Sequence, residues 1–391
     1  MSASGASRPR ISVVISIVAL LVAGCAFSST GGGGGPRPAG EKIWTTRVDW
    51  PFSLTVAGRD AVVTASRNRV VDLDTTDGRE RWHADVGHVT HYAPALGAGI
   101  VLVSADDRFV AFDRRTGARR WEAPVGELAG GAVIARAGAD AVAVVTTERG
   151  VVAALDGATG RARWSVQLPG DLYAAPAADA ASRTAAVVWH GDEDRLRVFD
   201  LATGAMRWEV AVDPGTTAPV VQQAAVVVGE GKGNFAARVV ARGLTTGAER
   251  WSVPAPASFE SGVVPGTAGG DVAVSDHFGT VTLVEGSTGR LRWQTPVREA
   301  VLDARVLVTA KTIILATYGR RVVVLDRVTG RVVRRVDPAG FPVGIGVSGG
   351  RMIFAVRLAH PDRVEADRLG CEATAGVPSG AAAARACGGD R

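Results

Sequence analysis

The fold is decided by the segment Asp113-Arg-Arg-Thr116-Gly117-Ala-Arg-Arg-Trp121, in which an acid, a threonine, a glycine and a tryptophan keep a fixed spacing. The same spacing returns over residues 156–164 and 200–208. Asp and Thr side chains accept hydrogen bonds from the backbone amides of a turn, and Gly tolerates the positive φ that closes a tight hairpin. The segment therefore predicts a hairpin whose second strand carries the tryptophan.

Weaker copies of this motif surround the three regular ones. From Trp82 to Trp293 the tryptophans of the motif are separated by 39, 43, 44, 43 and 42 residues, close to the roughly 40–50 residues of a four-stranded propeller blade. One such unit cannot bury both of its faces, so the units are expected to pack into a closed ring. The weaker copies are centred on Gly78, Gly247, Gly289 and Gly330, and the last has Arg334 where the others have tryptophan.

The two ends of the repeat region complement each other. Residues 40–44 repeat only the end of the motif, Gly-x-x-x-Trp, whereas residues 341–347, 352–357 and 363–368 look like three strands with no tryptophan strand after them. The sequence predicts an all-β, eight-bladed β-propeller of four-stranded blades, whose N-terminal strand closes the last blade beside residues 363–368. The tryptophans expected to dock between blades are Trp44, Trp82, Trp121, Trp164, Trp208, Trp251 and Trp293.

Over roughly residues 41–366 this pattern resembles the tryptophan-docking repeat of quinoprotein-like β-propellers, the pyrroloquinoline-quinone (PQQ) type. In layout the chain resembles the BamB-type outer-membrane assembly lipoproteins, which carry one eight-bladed propeller and no other domain. The resemblance implies a non-catalytic scaffold that binds a protein or peptide partner, including partners that add a strand to a sheet edge.

The N-terminus is typical of an export signal. Arg8 and Arg10 precede the apolar stretch 11–22, which is shorter than the span of about 20 residues that crosses a membrane. The stretch ends in Ala23-Gly24-Cys25, which resembles the lipobox of bacterial lipoproteins; that resemblance implies diacylglyceryl transfer to Cys25 and cleavage before it. An ordinary signal peptide with an incidental cysteine is the alternative.

Four regions follow from this interpretation: a lipoprotein signal peptide at 1–24, a Gly/Pro-rich tether at 25–40, the propeller at 41–370 and an Ala/Gly-rich tail at 371–391. Cys371 and Cys387 are a candidate disulfide in an exported protein, or else two free thiols. The expected location is extracytoplasmic, anchored by lipid to the cell membrane, or to the outer membrane in a cell that has one, and the chain is expected to be a monomer.

Charge and composition argue against several classes of function. The net charge is only +5, and acids alternate with bases without forming the basic patch of a nucleic-acid binder. Quinoprotein dehydrogenases, which the fold also resembles, need calcium ligands and commonly adjacent cysteines. This chain has no Cys-Cys pair and only two asparagines. We expect no cofactor, no metal and no catalytic residue, with a quinone-dependent dehydrogenase as the alternative.

Three short motifs are candidates for chemical sites. His88-x-x-His91 has no third metal ligand nearby, and the acids at 192–194 stand where a solvated turn is due. The glycines of 229–233 precede a strand rather than the helix that a phosphate loop requires. Turns are the simpler interpretation of the last two, and no metal site is expected from the first.

Aromatic residues recur just before the predicted inner strands, which open on the central funnel of a propeller. Clustered around one opening, they would form a binding rim; packing between adjacent loops is the alternative. A carbohydrate-binding envelope protein is a further function that such a rim would suit. The candidate rim residues are Trp50, Phe52, His91, Tyr92, Tyr173, Phe259 and Phe341, and Arg298 and Glu299 occupy the same relative position in another repeat.

Overall fold

A computed structural model describes residues 16–21 and 42–357, apart from gaps at 66–67, 138–139, 223, 232–237, 256–263, 266–269, 277, 300 and 339. Over these residues the chain forms 32 strands in eight four-stranded antiparallel sheets. No helix that could cross a membrane occurs in this described part. The prediction of an all-β propeller is confirmed.

Seven blades each consist of four strands that follow one another along the chain. In each blade the first strand is innermost and the fourth carries the motif tryptophan or its replacement. The strands are, for blade 1, β3 Pro51–Ala57, β4 Asp60–Ala65, β5 Arg69–Asp74 and β6 Glu80–Asp85; blade 2, β7 Ala95–Gly97, β8 Ile100–Ala105, β9 Arg108–Asp113 and β10 Arg119–Pro124; blade 3, β11 Ala129–Ala137, β12 Asp140–Thr147, β13 Val151–Asp156 and β14 Ala162–Gln167; blade 4, β15 Ala177–Asp179, β16 Thr184–Trp189, β17 Arg195–Asp200 and β18 Met206–Ala211; blade 5, β19 Val220–Gln222, β20 Ala225–Glu230, β21 Arg238–Gly243 and β22 Glu249–Pro254; blade 6, β23 Val264–Pro265, β24 Asp271–Ser275, β25 Thr280–Glu285 and β26 Leu291–Pro296; blade 7, β27 Val301–Val308, β28 Thr312–Thr317, β29 Val322–Asp326 and β30 Val332–Val336.

The eighth sheet, here called the closing sheet, joins the two ends of the described chain. From the centre outward its strands are β31 (Phe341–Ser348), β32 (Arg351–Arg357), β1 (Ser16–Leu21) and β2 (Lys42–Arg47). β31 contacts β3 and β27, the inner strands of blades 1 and 7, so this sheet closes the ring. The predicted count of eight blades is therefore slightly too high: the structure has seven blades of consecutive strands, and a sheet made from both ends of the described chain completes the ring.

The N-terminal strand that carries Trp44 closes the last sheet, as predicted, and its direct neighbour there is β1. The predicted neighbour, residues 363–368, lies outside the described residues. β1 is an apolar run of the segment interpreted as a leader, and such a run can form antiparallel ladders on both of its edges. The sequence prediction assigned this run to a signal peptide only, and so it did not include the run as a strand of the closing sheet.

The core consists of hydrophobic clusters between neighbouring sheets. The second and third strands are mostly buried; every residue of β8, for example, is buried. The fourth strands alternate between exposed and partly buried residues, as in β14. A strand that is packed on both faces has a continuous apolar sequence, whereas in an outer strand buried and exposed side chains alternate with a period of two residues.

Each motif tryptophan docks on the next blade. The indole Nε1 of Trp121 donates to the carbonyl oxygen of Gly157 at 3.1 Å, and its ring lies against Gly160. A Cβ on Gly160 would stand 2.5 Å from Cε3 of that ring, so the glycine provides room as well as a positive φ of 71°. The equivalent donations run from Trp44 to Thr75, Trp82 to Arg114, Trp164 to Leu201, Trp208 to Leu244, Trp251 to Gly286 and Trp293 to Arg327.

The motif aspartate uses both carboxylate oxygens. One accepts hydrogen bonds from the backbone of the turn, and the other accepts one from an arginine side chain. Asp156 Oδ1 accepts from the amides of Ala158 and Thr159, at 3.1 and 3.0 Å, and Oδ2 accepts from Arg163 at 2.7 Å. The bond from Arg163, followed by those from Thr159, lowers the pKa of Asp156 to about 2. The arginine directly before the tryptophan thus belongs to the motif, which the sequence interpretation did not include.

Candidate functional site on the funnel face

The propeller presents two different loop faces. Because neighbouring strands run antiparallel, each inner strand begins at the face where the second strand of its blade ends. We call this the funnel face; it carries the loops that precede inner strands and the loops that join second to third strands. The opposite face carries the aspartate–glycine turns and is called the motif face.

A first group on the funnel face, the arginine cluster, lies where the closing sheet meets blade 1. The guanidinium carbon of Arg357 stands 4.9 Å from the centre of the Trp50 ring and 5.6 Å from that of Phe52. Arg357 Nη2 donates to the carbonyl of Pro51 at 3.1 Å. Burial lowers the pKa of Arg357, and the facing aromatic rings compensate part of the cost of placing a charge there.

A second group, the tyrosine cluster, spans the funnel side of blades 2 to 4. The ring of Tyr173 stacks on that of His190, with centres 5.4 Å apart, and its hydroxyl donates to Asp171 Oδ2 at 2.7 Å. Asp171 and His190 exchange two backbone hydrogen bonds of 2.8 Å, which fix the two loops to each other. Tyr92 and Glu148 complete the cluster. The charge of Glu148 raises the pKa of both tyrosines, and Tyr173 also raises the pKa of Tyr92.

The surroundings raise the pKa of both phenols of the tyrosine cluster above the ordinary value. Burial, then the carboxylate of Glu148 and the hydroxyl of Tyr173, raise the pKa of Tyr92 to about 12. The hydrogen bond to Asp171 is the main cause that raises the pKa of Tyr173. His190 Nδ1 lies 2.9 Å from Asp194 Oδ2, which also accepts from the amide of Gly215 at 3.0 Å. The cluster therefore offers hydrogen-bond donors, carboxylates and aromatic faces in fixed positions.

The structure gathers the candidate rim residues into two clusters rather than one ring. Trp50 and Phe52 meet at Arg357, and Phe341 lies opposite Arg357 in the strand ladder and packs on the core beneath. The rings of His91 and Tyr92 lie 4.1 Å apart, and Tyr92 shares its electrostatic environment with Tyr173. Tyr173 is 59% exposed. Phe259 lies outside the described residues, as do Cys25, Cys371 and Cys387.

The sequence prediction lacks several residues of this face, because it placed the binding rim only in the loops before inner strands. Arg357, Glu148 and His190 all stand where a second strand ends. The same face exposes large apolar side chains before inner strands and after second strands. These are Leu128, Phe278 and Tyr318, exposed at 47%, 72% and 50%.

The other motifs singled out in the sequence occupy structural positions. His88 stands beside Asp106, Nδ1 to Oδ1 3.9 Å, and His91 faces Tyr92, so the two histidines have different neighbours. The described residues contain no group of three His, Cys, Asp or Glu arranged to hold a metal ion. Glu299 accepts from Thr317 and Arg321, each at 2.8 Å, which ties together two loops of blade 7.

Tryptophan-docked blades in a closed ring define this protein as a β-propeller of PQQ-type repeats. The family model described as "Outer membrane protein assembly factor BamB" matches residues 36–142, 110–255 and 235–354. These matches cover well over half of the chain, and the chain belongs to that family.

Two curated relatives match over part of their length. The serine/threonine-protein kinase AfsK of Streptomyces griseus is 31% identical over 164 residues, 40% of this chain and 20% of the kinase. The outer membrane protein assembly factor BamB of Alteromonas naphthalenivorans is 26% identical over 167 residues, 40% of this chain and 39% of that protein. The aligned part of this chain thus spans between a fifth and two-fifths of these relatives.

Solved structures share the fold at low identity. BamB from Moraxella catarrhalis superposes with a TM-score of 0.60 at 17% identity, covering 78% of this chain and 96% of that one. A europium-containing methanol dehydrogenase gives a TM-score of 0.60 at 12% identity, covering 79% and 84%. Both likenesses show the fold alone, because unrelated functions share such scaffolds.

Proposed function

We propose that this protein is a non-catalytic lipoprotein of the cell envelope that binds a protein or peptide partner through its funnel face. The tyrosine cluster carries this proposal. Tyr173 is 59% exposed although its hydroxyl is held by Asp171 and its ring by His190. A large aromatic side chain that is already immobilised loses little entropy on binding, which is the property of an interface hot spot.

Membership of the BamB family supports an assembly role, and the N-terminal sequence supports a lipid anchor. In this proposal Cys25 is lipidated, residues 1–24 are removed, and 25–40 hold the propeller off the membrane. The protein is then extracytoplasmic, monomeric and free of cofactor. Replacing Cys25 with Ser is expected to abolish lipidation, which intact-mass measurement and membrane fractionation would detect; unchanged mass and partitioning would contradict it.

Redox chemistry is the main alternative, since methanol dehydrogenases share the fold. Function belongs to the site rather than the scaffold, and the funnel face presents tyrosines and an aromatic-enclosed arginine. Purified protein supplied with pyrroloquinoline quinone and calcium is expected to oxidise neither alcohols nor sugars. Cofactor-dependent turnover would replace the binding role with an enzymatic one.

The binding role is tested by site-specific photo-cross-linking in intact cells. A photoreactive amino acid at Leu128, on the funnel face, is compared with one at Val328, which is 83% exposed on the motif face. The Leu128 position is expected to capture a defined envelope polypeptide, and Tyr173→Ala to reduce that yield without changing the melting temperature. Equal labelling from both faces, or a yield unaffected by Tyr173→Ala, would refute binding through this cluster.

A further inference from the structure

The loops of the two propeller faces carry opposite charge. In the described part of the chain, the loops between strands on the motif face contain ten basic residues and one acidic residue, Asp77. The described loops of the funnel face contain four basic and thirteen acidic residues. The ring is therefore positive at one end of its axis and negative at the other, and such a distribution orients a protein in an external field.

The motif aspartates do not neutralise the basic loops of the motif face. They stand at the strand ends beneath those loops and pair with arginines of the fourth strands, which are not among the ten. Asp113 accepts from Arg120 at 2.5 Å, and Asp156 accepts from Arg163 at 2.7 Å. These charges cancel in pairs, so the excess of positive charge in the loops remains.

Some of the basic loop residues present free charges to solvent. Arg115, Arg161, Lys311 and Arg331 are exposed, and in the described structure their side chains form no ion pair or hydrogen bond. Val328, in the same turn as Arg331, is 83% exposed. Basic side chains around an exposed apolar one are the combination that binds the surface of an anionic membrane.

The proposed tether enters the propeller on this same face. β2 runs in the direction of β32, because each is antiparallel to β1. β32 is a second strand and runs toward the funnel face, so β2 begins, at Lys42, on the motif face. Trp44 then donates to Thr75, in a motif-face turn of blade 1, at 3.3 Å. The segment that precedes β2 in sequence is thus joined to the basic end of the ring.

We infer that the motif face docks on the anionic phospholipid headgroups of the membrane that holds the anchor, and that the funnel face points away from it. The inference rests on the proposed lipid anchor for its nearness to the bilayer. Arginine forms charge-assisted hydrogen bonds with phosphate oxygens, and the same phosphates repel the acidic funnel face. The arrangement leaves the tyrosine cluster open to a partner.

The anchor and the charges have separate effects. A flexible tether of the length of residues 25–40 has a root-mean-square end-to-end distance of about 20–24 Å, whereas exposed charges interact over about 8 Å at physiological salt. The tether therefore keeps the propeller within reach of the bilayer in any orientation, and the basic face selects one. Docking should require anionic lipid and should weaken as salt is added.

The orientation is measured on vesicles that carry the purified lipidated protein. Cys371→Ser and Cys387→Ser remove the other thiols, and a fluorophore is attached either at Val328→Cys or, as the matched position on the funnel face, at Leu128→Cys. A spin label on lipid headgroups quenches fluorophores near the bilayer. In vesicles that contain phosphatidylglycerol we expect strong quenching at Val328 and little at Leu128. Phosphatidylcholine alone, or high salt, should remove most of that difference.

A pair of charge variants tests which face is responsible. Arg161→Gln with Arg331→Gln removes two positive charges from the motif face, and Arg149→Gln with Arg320→Gln removes two from the funnel face. Each basic residue near an anionic surface contributes about fivefold. The first variant should therefore lower the ratio of docked to undocked protein about 25-fold, and the second should not lower it. Both variants alter side chains outside the core, so their melting temperatures should match that of the natural chain.

Quenching at Leu128 that equals quenching at Val328 would overturn the inference, as would quenching at Val328 that does not respond to phosphatidylglycerol. Capture of a polypeptide by a photoreactive residue at Val328 in cells would also overturn it, in favour of a protein partner for this face. The anchor is tested separately: a chain with no lipid on Cys25 should leave phosphatidylcholine vesicles, which would refute the anchor. Binding of that chain to phosphatidylglycerol vesicles with Val328 quenched would still support docking by the motif face.

Discussion

The two faces of the propeller differ in how they are built. On the motif face one set of contacts is repeated: an aspartate stabilises a turn, a glycine makes room, and a tryptophan from the preceding blade docks. On the funnel face the loops differ from blade to blade and bring together unlike groups, such as Arg357 between two rings and Tyr173 on His190. The repeated contacts thus mark the residues that hold the ring, whereas the binding role proposed above falls on residues that differ from blade to blade.

Blade 1 shows where the repeated scheme changes. Its motif aspartate, Asp74, pairs with Arg59 at 2.6 Å, while Arg81, the residue before the tryptophan, binds Asp60 and approaches Asp72. Arg114 from blade 2 also binds Asp60. Blade 1 therefore joins its neighbour through a buried charge network in addition to Trp82.

The largest expected effect is on the motif face. Trp121 is buried, and Trp121→Ala removes both its packing and its hydrogen bond to Gly157. We expect a loss of about 3–5 kcal/mol in the free energy of unfolding, the range for large buried aromatics. Denaturant titration measures this, and a loss under about 1 kcal/mol would show that tryptophan docking does not hold the blades together.

Substitution of the glycine beneath that tryptophan is expected to have the second-largest effect on the free energy of unfolding. Gly160→Ala places a Cβ 2.5 Å from the Trp121 ring at a φ of 71°, and overpacking with backbone strain predicts a loss of about 2–3 kcal/mol. In the Trp121→Ala background the steric part should disappear and only the cost of the positive φ should remain. Equal costs in the two backgrounds would show that the room for the ring is unimportant.

The charge network of blade 1 is expected to make stability depend on pH. Asp72 is fully buried, and burial, followed by repulsion from Asp60, raises its pKa to about 7 despite Arg81 and Arg114. Its carboxyl stays protonated in the folded chain at a pH where the unfolded chain, with a pKa of about 3.9, is ionised. This contribution to stability is complete below the unfolded pKa and is lost as the pH rises through about 7.

Asp72→Asn provides the measurement. The unfolding free energy of the natural chain should fall by about 2–3 kcal/mol between pH 5 and 8 from this group, and the asparagine variant should lack that part of the slope. All six histidines are present in both chains, so the difference between the two profiles isolates Asp72. Parallel profiles would mean that Asp72 is ionised throughout.

The smallest effect on stability is expected on the funnel face. Tyr173→Ala removes an exposed ring whose contacts are His190 and Asp171, and we expect a change within about 0.5 kcal/mol. The same denaturant titration checks it. A loss as large as that of Trp121→Ala would erase the distinction between the two faces and with it the reason to place binding on this side.

The closing sheet shows where sequence reasoning was incomplete. Residues 341–347 and 352–357 were predicted as strands and appear as β31 and β32, each within about a residue of the predicted bounds. The strand that lies between β32 and β2 was not predicted, because an apolar segment near an N-terminus has the same composition whether it is exported or paired. Pairing partners far apart in sequence are chosen by edge geometry, which no local pattern contains.

The sequence by itself determined the blade repeat, the ring and the turn chemistry. The reason is that an Asp-Thr-Gly-Trp motif that recurs at intervals of about one blade length is most simply explained by a propeller. Only the tertiary structure decided which side chains meet across blades: that each motif glycine lies under the preceding tryptophan, that Arg357 lies between Trp50 and Phe52, and that Tyr92 and Tyr173 share one electrostatic environment. The physical reason is range. Turns and strand periods arise from neighbours along the chain, whereas the funnel face is assembled from loops whose proximity depends on the closure of the whole ring.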